Sequence, residues 1–404
     1  MKTPLIALAI FTATAATVAL TPAQWVIGAT PAPDPALAGL PCPDPARNER
    51  PVIEAVFVLD TTGSMSGLIQ AAKEKIWSIA TTMASAQPAP EIRMGLVAYR
   101  DRGDDYVTRV VDLSADLDSM YATLMELKAG GGGDGPESVN AALHDAVHRI
   151  SWSQGGAAYK VVFLVGDAPP HMDYPDDVKY PQTLAVAREK GIVVNAVQCG
   201  GLAETTRQWE RIAGQGQGRY FRVDQQGSAV ALATPYDRTL AELSAKLDAT
   251  RLYYGSDEEK RRQAAKQEAA DKLHAAASVE SRARRATFNA LPAGKANLLG
   301  EKELVEDVAA GRVDLSSVAP AALPAPLQAM APAERKAAVQ AQAERRKALA
   351  NELAVVARER AEFLARKVAE NGGAKDSLDE KIYGAVREQA AAKGLRYEAD
   401  APAY

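Results

Sequence analysis

The chain has 404 residues, 47% of them hydrophobic and 24% charged, with a formal net charge of −4. At about 150 residues per domain that is a globular chain of two to three units, and its charge argues against a nucleic-acid binder on bulk electrostatics. The acidity is in the front half: residues 1–235 carry 19 basic and 25 acidic side chains, residues 236–404 carry 28 and 26.

At the N-terminus one lysine precedes an apolar stretch from Leu5 to Leu20, and Thr21-Pro22-Ala23 supplies the small residues of a cleavage site. Residues 1–23 are expected to be a secretory signal peptide, which places the chain in the periplasm, cell envelope or extracellular space. An uncleaved N-terminal anchor, and with it membrane association, is the alternative, although the stretch is short for a span. Cys42 and Cys199 are the two cysteines, and an oxidising compartment permits a disulfide between them. Residues 24–50 form a Pro-rich linker.

Residues 51–235 alternate strand and helix signals. Val52 to Leu59 is a nearly continuous apolar run ending in Asp60, the pattern of a strand buried on both faces. A helix is expected from Ser64 to Ala84, then a strand at Ile92–Tyr99, a tight turn, and a returning edge strand at Tyr106–Val111. A short helix at 115–127 precedes Gly130-Gly131-Gly132-Gly133-Asp134-Gly135-Pro136, after which 137–150 reads as helix with Pro136 in its first turn. Tyr159–Val165 is a second buried strand, ending in Gly166-Asp167. Helix 181–189, strand 192–197, helix 204–213, strand 219–223 and a helix near Gly227 follow. This order predicts an α/β fold: a doubly wound, mostly parallel sheet with one antiparallel edge strand.

Residues 236–404 contain no strong strand and read as an Ala-rich all-helical region. Helices are expected at 237–250 and 258–288, then broken structure, making 236–318 one helical region. Residues 319–333 form a Pro/Ala linker and 334–404 a second helical region, with a long helix over 334–369 and a short one at 378–393. The stripe Leu349, Leu353, Val356 and Phe363 is interrupted by Arg360, which favours a helical hairpin or a helix packed on a neighbour over a long coiled coil. The basic groups Lys260-Arg261-Arg262 and Arg282/Arg284/Arg285 alternate with acids and read as solvated helix faces, with contact to anionic surfaces as the other possibility.

The informative residues are the strand-terminal aspartates, because functional loops of parallel sheets lie outside the carboxyl ends of the strands. Asp60, Thr62 and Ser64 are spaced i, i+2, i+4 entering a helix, so three oxygen side chains can converge. Asp134 follows four glycines, and Asp167 ends another central strand. Three carboxylates and two hydroxyls, without thiol or imidazole, suit a hard cation: Mg2+, or alternatively Mn2+ or Ca2+. Simpler roles stay open. Thr62 and Ser64 can cap the helix after them, Asp134 can cap the helix after Pro136, and Asp167 can end its strand at a turn.

With these residues in view, about 51–235 resembles a von Willebrand factor type A domain. Asp60-x-Thr62-x-Ser64 is similar to its metal-ion-dependent adhesion site motif, in the Asp-x-Thr-Gly-Ser-Met variant. Asp167 falls on the family's later aspartate, and Asp134 stands at or beside the position of its intervening threonine. The resemblance implies a metal at the top of a Rossmann-like sheet and a protein partner whose Asp or Glu completes the coordination. The extra carboxylate of Asp134 strengthens ion holding but leaves less positive charge for an acidic partner. Loops of the Gly-Gly-Gly-Asp-x-Pro-Glu kind also occur in a subgroup that includes some domains associated with alpha-kinases, but no kinase portion is found in this sequence. The expected function is therefore an exported binding module without a catalytic residue. A structural protein of the cell envelope acting through its helices is the alternative, and a metal-assisted hydrolase with His171 as base is third. His144 and His148 at i, i+4 superficially resemble a zinc-protease helix but read as surface histidines. The Arg102-Gly103-Asp104 tripeptide reads as a chance match. Oligomeric state is not legible.

Overall fold

The computed structural model describes residues 50–133, 135–225, 232–370 and 378–397. The expected signal peptide, the expected Pro-rich linker up to residue 49, Cys42, Asp134 and the helix start expected near Gly227 lie outside the described residues.

Six strands form one sheet in the order β3-β2-β1-β4-β5-β6. They are β1 (Val52–Asp60), β2 (Glu91–Tyr99), β3 (Thr108–Ser114), β4 (Tyr159–Gly166), β5 (Ile192–Cys199) and β6 (Gln217–Val223). Every neighbouring pair is parallel except β2–β3, which is antiparallel. The expected fold class therefore stands. The apolar runs of β1 and β4 sit in the middle because only a strand covered on both faces can bury every side chain. Ile53, Ala55, Phe57 and Leu59 face one core, and Val56 and Val58 face the other.

The second face is covered by α3 (Val139–His148), α4 (Tyr180–Glu189) and α5 (Ala203–Gln215), which contribute Leu143, Leu184 and Trp209 to its core. On the first face lie α1 (Ser66–Ala84) and α2 (Leu117–Glu126). From β1 the chain moves first to β2 on one side and then to β4 on the other. The crevice between the carboxyl ends of β1 and β4 is therefore the topological switch point, where open α/β sheets bind ligands. Asp60 ends β1, and Asp167 follows β4.

The remaining helices are α6 (Asp237–Asp248), α7 (Asp257–Ala276), α8 (Val279–Ala290), α9 (Lys295–Leu299), α10 (Leu304–Ala309), α11 (Ala325–Gln328), α12 (Pro332–Glu370) and α13 (Leu378–Ala391). The single run expected over 258–288 is divided: Ser278 accepts a hydrogen bond from the backbone of Ser281 and starts a new helix, α8. The segment 319–333 contains a short helical turn and α11. The long helix α12 packs on α6, α8 and α10, and Leu353 and Ala357 join a small core with Leu240, Leu243 and Leu247. It is a helix packed on neighbours.

This helical region does not stand apart from the sheet. Leu273, Phe288, Ile382, Val386 and Leu395 belong to the same core as β1 and α1, and the described residues form one compact unit. The helix α13 returns to cover the flank of the sheet beside α1. Gln389 accepts from Tyr159 Oη (2.7 Å) and exchanges two amide hydrogen bonds with Asn195 (2.8 and 3.1 Å). Lys75 of α1 pairs with Asp379 at 3.1 Å, both buried. Among the basic groups, Arg284 and Arg285 are buried rather than solvated. Arg285 forks onto Asp118 of α2 (2.6 Å from both Nε and Nη2) and reaches Asp248 of α6 (2.8 Å). No helix among the described residues is long and apolar enough to cross a membrane.

Candidate metal centre

The Asp60-Thr-Thr-Gly-Ser turn connects β1 to α1. Asp60 and Thr62 are buried, and Ser64 is exposed. The Thr62 backbone N–H (2.9 Å) and hydroxyl (2.7 Å) both donate to Asp60 Oδ1. The Thr62 hydroxyl thus binds the aspartate and makes no cap to the helix after it. Ser64 Oγ lies 3.5 Å from Thr62 Oγ1. Asp60 Oδ2 is buried and has no hydrogen-bond partner. Burial, reinforced by the charge of Asp167, pushes the Asp60 carboxyl up to about 7 although the Thr62 hydrogen bonds pull the other way.

The next strand supplies room. A Cβ on Gly166 would lie 2.5 Å from the Tyr99 hydroxyl and 3.1 Å from Asp60 Oδ2, so glycine there leaves room on β4 for both groups. That hydroxyl is also buried and partnerless. Asp167 is partly exposed; its carboxylate accepts from Gln225, and its carbonyl accepts from Thr205 Oγ1 at 2.9 Å.

The glycine loop is clamped over this turn. Gly63 N–H donates to Gly131 O (3.2 Å), and Gly130 N–H donates to Thr61 O (3.1 Å). Asp104 Oδ2 accepts from Gly132 N–H (2.9 Å) and Asp101 N–H (3.1 Å). The Arg-Gly-Asp turn is therefore occupied internally, with Arg102 paired to Asp176 and Asp177. Gly131 and Gly132 have φ of +78° and +79°, and a Cβ on Gly131 would lie 2.3 Å from the Asp104 carboxyl. Gly131→Ala is therefore expected to release the loop. A protease-nicking assay should show new cleavage between residues 128 and 137, and an unchanged digestion pattern would contradict the clamp.

Sequence reasoning missed one carboxylate. Glu137 is 4% exposed. Its backbone N–H donates to Pro169 O, and its carbonyl accepts from His171 N–H, which fixes it against the loop after β4. Its Oε1 lies 3.0 Å from where a Gly132 Cβ would be, beside Thr62, and Oε2 is buried without a partner. Burial, then the charges of Asp60, Asp101 and Asp104, push its carboxyl up to about 9. The available signal was an acid directly after Gly-Pro at the mouth of the glycine loop.

The structure thus brings Asp60, Thr62 and Ser64 together, with Asp167 close enough for its charge to act on Asp60. Among the described residues no three Asp, Glu, His or Cys side chains form a cluster that could hold an ion by themselves. Asp134 lies outside those residues. The oxygen-only donor set and the two orphaned carboxylate oxygens nevertheless fit a hard cation better than they fit an empty pocket. His171 does not face this opening freely: Nδ1 meets Asp173 (2.8 Å), and Nε2 meets Tyr174 Oη (3.2 Å) and Asp101 (3.4 Å). His144 and His148 stack at 4.2 Å, and His148 Nδ1 is turned to the His144 carbonyl rather than toward a shared ion. Cys199 is buried.

The family model of the von Willebrand factor A domain matches residues 54–234. A putative ariadne-like RING finger protein of Acanthamoeba polyphaga mimivirus is 26% identical over 120 residues, covering 30% of this chain and 11% of that protein. An alpha-protein kinase, vwkA, of Dictyostelium discoideum is 28% identical over 121 residues, covering 30% and 19%. The chain therefore spans only a small part of these relatives. Among solved structures, proximal thread matrix protein 1 of the mussel byssus, with a zinc-occupied adhesion-site motif, is 17% identical (TM-score 0.33; 43% of this chain, 42% of that one). The von Willebrand A domain of SpRpn10 is 11% identical (TM-score 0.33; 44% and 89%). Strand order, the switch-point aspartates and the family match agree: residues 54–234 are a von Willebrand factor A domain.

Proposed function

We propose that this chain is an exported, metal-dependent protein-binding module. Von Willebrand A domains generally mediate protein–protein interaction, and the finer reading concerns how this one does so. Asp60, Thr62 and Ser64 hold a divalent cation, Mg2+ or alternatively Mn2+ or Ca2+, with Asp167 and Asp134 of the neighbouring loops and with Glu137. The observation that carries the reading is the pair of buried, partnerless carboxylate oxygens, Asp60 Oδ2 and Glu137 Oε2. Two such groups are costly to bury unless a cation or protons compensate them. The ion supplies positive charge and a coordination position for an Asp or Glu of the partner. Thr62 orients Asp60, and the Asp104 clamp holds the glycine loop over the site. The apolar run at 5–20 supports a place in the periplasm or cell envelope.

Calorimetric titration of the full chain with MgCl2, MnCl2 and CaCl2 tests this. Asp60→Asn should remove measurable ion binding, and Glu137→Gln should weaken it by about tenfold, because each loses one formal charge while keeping its shape. Saturating ion should also raise the Tm of the wild type, since a ligand of the native state stabilises it. Partner capture by Asp60→Ala should fall to the level seen with EDTA. A wild-type chain with neither heat nor Tm response to any of the three ions would sink the reading.

A further inference from the structure

Four large hydrophobic side chains are conspicuously exposed among the described residues: Met172 (42%), Val178 (44%), Leu202 (54%) and Val355 (46%). Three of them sit on loops at the carboxyl end of the sheet, around the proposed ion. Those loops are stitched to one another. Asn140 Nδ2 donates to the carbonyl of His171, beside Met172 (2.6 Å), and Asn140 Oδ1 accepts from Tyr180 N–H, two residues after Val178 (2.8 Å). Tyr180 Oη donates to Gln208 of α5 (2.9 Å). Thr205, three residues after Leu202, holds the Asp167 carbonyl. The apolar side chains are thus carried on a fixed frame.

The charge around them is strongly one-sided. Segments 60–64, 100–107, 128–137, 167–179 and 200–204 carry eleven acidic and four basic residues. A divalent ion leaves most of that excess in place. Several acids keep their carboxylates in solvent even where they pair: Asp105 (82% exposed), Asp173 (73%) and Asp176 (68%). A partner carboxylate approaching alone would be repelled by this rim, whereas one carried among basic residues would be drawn in. Apolar side chains held in place on such a rim give a partner's aliphatic side chain surface from which to exclude water.

We infer that the partner is a polypeptide in which the coordinating Asp or Glu is flanked by Lys or Arg and by a large aliphatic side chain, the basic residues facing the acidic rim and the aliphatic one covering Met172, Val178 and Leu202. This rests on the metal-dependent reading above and names the partner class of that site.

The test uses the full chain and immobilised short peptides with one central Glu. The flanks are Leu and Lys, Ser and Lys, Leu and Ser, or Ser alone, and each peptide is measured in MgCl2 and in EDTA. The Leu- and Lys-flanked peptide should bind about tenfold more tightly than the Ser-flanked one, the change expected from partial burial of one aliphatic side chain together with charge pairing. Its advantage from Lys should shrink as salt rises. Met172→Ser with Leu202→Ser should erase the preference for Leu, and Asp173→Asn with Glu204→Gln the preference for Lys; all four positions are exposed, so the fold is kept. Ion-dependent binding with no preference among flanks would overturn this inference and leave the metal reading intact. Flank preference that persists in EDTA and in Asp60→Asn would overturn the metal reading and leave the rim. Binding of none of the peptides would overturn both.

Discussion

A chain ended at residue 377 is expected not to fold cooperatively. The reason is that α13 is part of the core of the von Willebrand A domain although it lies more than 140 residues after the matched segment. Ile382, Tyr383, Val386 and Leu395 are all buried, and three of them share a core with β1 and α1. At about 1.5–3 kcal/mol per large apolar side chain, their loss is of the same order as the whole stability of a domain, about 5–15 kcal/mol. Polar debts accumulate as well: Tyr159 Oη and the Asn195 amide lose Gln389, and Lys75 is left in the interior without Asp379. The same holds for a fragment of residues 51–235, which lacks α13 and all of α8. Circular dichroism melts of both fragments and of Val386→Ala should show two losses of sheet cooperativity and one Tm drop. The point variant is expected to lose about 1–3 kcal/mol. A 51–235 fragment that melts as sharply as the full chain would show that α13 is dispensable.

Arg285→Met is expected to cost about 3–5 kcal/mol, because it removes one partner of a buried ion pair and leaves the other charged. Arg285 is fully buried between Asp118 and Asp248, with Lys266 3.8 Å from Asp118 and His274 2.7 Å from Asp248. Burial by itself would raise both carboxyls, but Arg285, joined by Lys266 at Asp118 and by His274 and Arg251 at Asp248, holds both below the usual carboxylate range. The sign of the pH dependence follows. Carboxyls with depressed folded values add stability that is fully present above the unfolded value, about 4, and is lost as pH falls through the folded value. Without Arg285 burial dominates, the carboxyls titrate higher, and the acid-unfolding midpoint should move up. Urea melts from pH 3 to 7 read both effects. Pairing Arg285→Met with Asp118→Leu should regain much of the loss by replacing the charge pair with apolar packing; equal stability of Arg285→Met and wild type at pH 7 would contradict the account.

These two clusters show why the back half was read less well than the front. Its helices are rich in Ala, Lys, Arg and Glu, so their apolar stripes are thin and a buried arginine is indistinguishable from a solvated one. Arg284 donates to the carbonyl of Glu74 in α1 (3.1 Å), 210 residues away, and no local pattern encodes such a contact. The divided helix at Ser278 is a milder case. Ser278 caps α8 there, and the helix formers on both sides gave the run no visible break.

At the metal centre the division is finer. Asp60, Thr62, Ser64 and Asp167 were readable because buried parallel strands write themselves as unbroken apolar runs, and a carboxylate at the end of such a run stands out. Glu137 and Asp104 were hidden in a loop and a turn. Their roles depend on where the chain places the glycine segment after two strands and a helix intervene.

The amino-acid sequence by itself determined the strand pattern, the single antiparallel edge and the oxygen-bearing turn after β1, since periodicity and strand-end chemistry act over a few residues. Only the tertiary structure decided that Glu137 is buried beside Thr62, that Asp104 clamps the glycine loop and that α13 closes the sheet. Each of those is a choice among many possible long-range partners, settled by burial and charge compensation in three dimensions rather than by any run of neighbours along the chain.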